Sequence, residues 1–129
     1  MALLVLDSSV LVAYFSPDDR HHERAVLALR ASADDERIIV ASALAEILVH
    51  PCRSGPAAVA RIEAALSALL ARVEPVTERL AHRAAELRAR HSSLRLGDAL
   101  VLATGDVLNA RVLTADKSWV KLSSRVRAL

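Results

Sequence analysis

The chain has 129 residues, 53% of them hydrophobic but only 2% aromatic, and a formal net charge of +2. That length suits one domain with a single core, and its apolar runs are interrupted by Asp7, Glu46 and Asp98 before reaching the roughly 18–20 residues of a membrane span. Cys52 is the only cysteine, which excludes a disulfide scaffold and leads us to expect a reducing, cytoplasmic setting. The amino end lacks a basic n-region and a small-residue cleavage site, so no signal peptide is expected. With three glycines in the chain, neither GxGxxG nor a P-loop can be written, which argues against a nucleotide-binding module. The basic residues are Arg almost throughout, with Lys only at Lys117 and Lys121, a composition that permits an acidic or phosphate-bearing partner without demonstrating one.

"ALLVLD" (2–7) is a continuous apolar run ending in an acid, the pattern of a strand buried on both faces. "SVLVAYF" (9–15) reads as a short helix. A longer helix is expected to start with Ser16 as cap and Pro17 at its first position. "RIIVAS" (37–42) is a second strand, followed by a helix over 43–50 that Pro51 should break. Residues 55–73 place Val59, Ile62, Leu66, Leu69 and Leu70 at helical spacing, and 74–76 form at most a brief strand. Thr77 caps a helix over 78–91, and 96–108 make another apolar helix. "RVLTAD" (111–116) is the last clear strand, with a short one possible in "RVRAL". No repeat, linker or composition break appears, so residues 1–129 read as a single domain.

Strands alternating with helices imply parallel pairing through right-handed crossovers, and hence a three-layer α/β/α sandwich around a central parallel sheet. Ligands of such sheets sit outside the carboxyl ends of the strands. Asp7 ends the first strand and Asp116 the last clear one, Glu46 follows the second strand by about one helical turn, and Asp98 opens a helix. All four acids therefore fall near one rim. Singly, Asp7 and Asp98 could be helix caps and Asp116 a turn residue. Glu46 is harder to dismiss, because every neighbour from 43 to 49 is apolar and its helix should be buried nearly all round. Together, four like charges must raise their pKa values or gather cations. Oxygen ligands without His or Cys suit magnesium or manganese rather than zinc, and such ions serve phosphodiester hydrolysis.

"LLVLDSSVLVAYF", "ASALAEILVH", "LRLGDALVLATG" and "RVLTADKSW", in this order, resemble the PIN-domain ribonucleases, in particular the VapC toxins of bacterial toxin–antitoxin pairs. The resemblance covers essentially the whole chain. It implies that Asp7, Glu46, Asp98 and Asp116 form a catalytic quartet holding Mg2+, with Mn2+ an alternative, and that Ser9 and Thr114 orient carboxylates or water. It also implies endonucleolytic RNA cleavage, a homodimer, and inhibition by a cognate antitoxin protein. Gly97 and Gly105-Asp106 depart from the usual pattern, and Asp106 lies eight residues past Asp98, too far along its helix for a ligand assignment.

Two alternatives remain open at this level: a catalytically silent RNA- or protein-binding domain, and an aspartyl phosphotransferase using Asp7. The second usually wants an acid two residues on, where this chain has Ser9. Arg20, Arg24, Arg53, Arg95 and Lys117 are candidates for phosphate contacts but cannot be ranked, and a solvated face is the default for all five. His21, His22 and His50 read as surface or capping residues, Cys52 as an inert thiol, and Trp119 as core. The helix over 55–73 and the "AYF" stretch are apolar enough to pack against another chain, or to be core.

Overall fold

The structure, a computed structural model, describes residues 2–129. The strands are β1 (Leu3–Leu6), β2 (Glu36–Val40), β3 (Arg72–Glu74), β4 (Arg111–Thr114) and β5 (Val126–Ala128). The α-helices are α1 (Ser8–Phe15), α2 (His22–Ala31), α3 (Ala41–Ser54), α4 (Pro56–Leu69), α5 (Glu78–Arg90) and α6 (Leu96–Leu108), and a 3₁₀ turn covers Lys117–Lys121. The sheet runs β3-β2-β1-β4-β5 with every pair parallel. The chain thus winds outward from β1 in one direction, then returns to the other side of β1 to lay down β4 and β5. Right-handed crossovers put α1 to α4 on one face and α5 and α6 on the other. This is the expected three-layer α/β/α architecture.

The continuous apolar runs are explained by position in the sheet. Val5 and Leu6 of β1, Ile38, Ile39 and Val40 of β2, and Val112 of β4 are buried, because helices cover both faces. On the α6 side the approach is close. A Cβ on Gly105 would come within 2.5 Å of Val112 Cγ2 and 3.2 Å of the Ala110 carbonyl, so this glycine is where α6 touches β4. Trp119 is buried in the core, as expected. No helix among the described residues is long and apolar enough to cross a membrane.

Four local expectations are corrected. Pro51 does not end α3, which continues to Ser54 and stops at Gly55, where φ is 115°. A proline removes one amide donor, and here only one further turn follows it, while Ala43 and Ile47 hold the inner face by packing. Ser16 and Pro17 do not open α2. The Asp19 carboxylate accepts the His21 amide at 2.8 Å, and the His22 amide donates to the Asp19 carbonyl at 3.0 Å, so the segment is a series of turns before helix starts at His22. The helix over 55–73 ends at Leu69, and β3 lies two residues earlier than expected. Strand pairing sets that register, with Ile38 opposite Arg72 and Val40 opposite Glu74. Finally, α3 is not buried all round: Ala45, Glu46, Val49 and His50 are exposed.

Candidate active site

The strand order reverses between β1 and β4, and the carboxyl ends of these two strands carry the most tightly built polar cluster. Asp7 follows β1 directly, and its amide donates to the Leu113 carbonyl at 2.9 Å, which fixes it against β4. It occupies the N-cap position of α1, yet its side chain makes no capping hydrogen bond. Its Oδ2 instead accepts from Ser9 Oγ at 2.6 Å and from Thr114 Oγ1 at 2.9 Å. Both hydroxyls are themselves anchored. Ser9 Oγ accepts the Ala115 amide at 3.0 Å, and Thr114 Oγ1 accepts the Asp116 amide at 3.0 Å. The carboxylate is therefore clamped across the strand-order switch, one of its partners lying 107 positions away in the chain.

Asp7 is 6% exposed, the only buried acid among the described residues. Burial pushes its pKa up, the hydroxyls of Ser9 and Thr114 oppose this, and the charge of Asp98 adds to the rise. Glu46, one turn into α3, is also raised, first by partial desolvation and then by the charges of Asp7 and Asp98, with Arg95 acting the other way. Its carboxylate lies against the first turn of α6: a Cβ on Gly97 would stand 3.4 Å from Glu46 Oε1. Asp98 is raised too, chiefly by desolvation and further by Asp116, while the Arg95 amide and charge lower it. Its Oδ2 accepts the Arg95 amide at 3.3 Å, so Asp98 caps α6 while facing the other acids.

Asp116 is exposed at the end of β4, where its Oδ1 accepts from the Ser118 amide at 2.9 Å and Ser118 Oγ at 2.6 Å. The turn role expected of an isolated Asp is thus real, and it leaves Oδ2 uncommitted. The four acids share one rim and influence one another electrostatically. Asp106 does not join them. It sits at the other end of α6, 2.8 Å from Arg83 Nε and 3.6 Å from Arg125 Nε.

Among the described residues, none of Asp7, Glu46, Asp98 and Asp116 has a cationic side chain within 4.0 Å, although other acids do. No three His, Cys, Asp or Glu side chains among them stand close enough to form a finished metal cage. What the rim offers is an open set of hard oxygen donors, one of them desolvated and rigidly held, with excess negative charge. That donor chemistry fits a divalent cation of the magnesium or manganese type.

A parallel sheet with acids gathered at its switch point defines a class of α/β protein whose ligand site lies on the carboxyl rim. The family model of the PIN domain matches residues 4–124, and the chain belongs to that family. No curated protein matches the chain. Solved structures do. The Mycobacterium tuberculosis toxin VapC20, described as cleaving the sarcin-ricin loop, is 25% identical with a TM-score of 0.74, covering 93% of this chain and 95% of that one. A toxin–antitoxin complex from Klebsiella pneumoniae is 21% identical with a TM-score of 0.76, over 97% and 96% of the two chains. VapBC2 from Rickettsia felis, bound to a promoter DNA fragment, is 15% identical with a TM-score of 0.75, over 98% of each.

Proposed function

We propose that this PIN domain is a metal-dependent endoribonuclease and the toxin of a toxin–antitoxin pair, with a cognate antitoxin and a second copy of itself as protein partners. The observation that carries the reading is the rim itself: Asp7, Glu46, Asp98 and Asp116 share it with no cationic side chain within 4.0 Å among the described residues, and three of them hold their protons more tightly than free carboxylates do. The VapC20 likeness and the toxin–antitoxin complexes among the neighbours support the RNA and antitoxin parts.

Asp7, Glu46, Asp98 and Asp116 would hold Mg2+ or Mn2+. Once bound, the ion supplies a more acidic water and charge neutralisation at the phosphodiester. The chain's own residues do the rest. Ser9 and Thr114 fix Asp7 by donating to its Oδ2. Glu46 and Asp98, on the same rim, would accept the proton of the attacking water. A water oxygen would bond to phosphorus as its proton passes to the acid rim, the P–O3′ bond would break, and the 3′ oxygen would take up a proton from solvent. No side chain is required as nucleophile.

The test is cleavage of structured and cellular RNAs in magnesium, in manganese and in EDTA, comparing the wild type with Asp98→Asn. Metal-dependent cutting that the variant loses by at least a hundredfold is the expected result. Cutting that persists in EDTA, or that Asp98→Asn retains, overturns it.

A further inference from the structure

Beside the acid rim lies a cavity of about 480 Å³ that the acids alone do not explain. It is lined by Ser9, Asp116 and Ser118, which belong to or adjoin the acid rim, and by Arg20, His21 and Lys117. Arg20 and Lys117 are both exposed, and among the described residues neither has an acidic side chain within 4.0 Å. They come from distant parts of the chain, the turns before α2 and the 3₁₀ turn after β4, and line one cavity together with Ser9 of α1.

Arg20 makes one side-chain hydrogen bond among the described residues. Its Nε donates to His21 Nε2 at 3.2 Å, and the His21 amide is tied to the Asp19 carboxylate at 2.8 Å. With Nε engaged, the two terminal nitrogens of the guanidinium make no hydrogen bond among the described residues and are free for an anion. A planar fork beside an ammonium suits a phosphate, with the arginine giving paired hydrogen bonds and the lysine a point charge. Asp116 in the same wall makes a small free carboxylate a poor occupant. A phosphate that is part of a chain already bound at the acid rim is a good one, since its neighbour supplies the contacts that hold it there.

We infer that Arg20 and Lys117 form a subsite for a backbone phosphate of the RNA strand, one flanking the phosphate that is cut. This deepens the ribonuclease reading and rests on it. The cavity sets the direction in which the strand leaves the acids, past Asp116 and over the turns before α2. It also ranks the basic residues: Arg20 and Lys117 contact the strand, while Arg30, on the last turn of α2, does not.

The experiment measures binding of a fluorescein-labelled 12-nucleotide single-stranded RNA in EDTA, together with cleavage kinetics in magnesium. The proteins are wild type, Arg20→Ala, Lys117→Ala, the double variant, and Arg30→Ala as a control for loss of one charge. The double variant is expected to bind at least tenfold more weakly and to flatten the dependence of log affinity on log salt by about 0.7 per lost phosphate contact. KM should rise with kcat little changed, and Arg30→Ala should track the wild type. Unchanged affinity, a loss no greater than that of Arg30→Ala, or no RNA binding by the wild type overturns the subsite. If the wild type cuts RNA and the double variant behaves normally, the subsite alone fails. If the pair carries RNA affinity but nothing is cut, hydrolysis fails and the subsite stands.

Discussion

Asp7 shows how little of a residue's role its neighbours in sequence reveal. "LDSSV" is compatible with an N-cap, and the residue does stand at the N-cap position, but its carboxylate faces Ser9 and Thr114 instead. The contact with Thr114 could not be read from spacing, because pairing of β1 with β4 creates it. Each hydroxyl stabilises the ionised form of Asp7, so Ser9→Ala and Thr114→Val should each weaken divalent metal binding by about 10–100-fold. Both variants should also move the acidic limb of the activity profile to higher pH, and cleavage rates across pH 5–9 check this. Asp7, Glu46 and Asp98 bind their protons more tightly in the fold than in the open chain. Ionising them costs stability: the cost is absent below the ordinary carboxylate range and grows as pH rises through the raised values. Asp98→Asn, which keeps an acceptor for the Arg95 amide, should therefore melt higher than the metal-free wild type at pH 7. The gap should close as the pH falls toward 4, and thermal melts in EDTA over that range decide it.

At the scale of elements, the strands and most helices were legible because their apolar runs match burial on two faces of a parallel sheet. Boundaries were not. Pro51 looked like a stop, yet a proline near the end of a helix removes too little to halt it, and the positive φ of Gly55 ends α3 instead. The turns over residues 16–21 hid Arg20 and His21 from any argument based on helical spacing, since the Asp19 carboxylate competes for the backbone there. Gly105 stood out only as an unusual residue, and its cause is the contact of α6 with Val112. Alanine is the better helix former by about 1 kcal/mol, but Gly105→Ala should still destabilise the protein by about 1–3 kcal/mol, read from chemical denaturation. Asp106, on the same helix, belongs to the ion pairs with Arg83 and Arg125. Asp106→Asn should cost no more than about 1 kcal/mol by the same measurement and leave RNA cleavage unchanged.

The whole molecule is organised around one topological fact: the chain starts in the middle of its sheet, and after building one side of it returns to lay β4 against the other side of β1. That reversal puts the ends of β1 and β4 side by side and brings the amino end of α6 over them, so acids at positions 7, 46, 98 and 116 share a rim. Their convergence was legible from alternation of strands and helices; the unequal environments were not, because burial of Asp7 and exposure of Asp116 depend on packing. Placing this much like charge together is intelligible if a cation completes it, and that is the central claim. The direct measurement is a calorimetric titration of Mn2+ into metal-free wild type, Asp7→Asn and Asp106→Asn at pH 7. The account predicts saturable binding by the wild type, a loss of at least tenfold in Asp7→Asn, and wild-type affinity in Asp106→Asn. A wild type that binds no manganese, or an Asp7→Asn variant that binds it equally well, would contradict it.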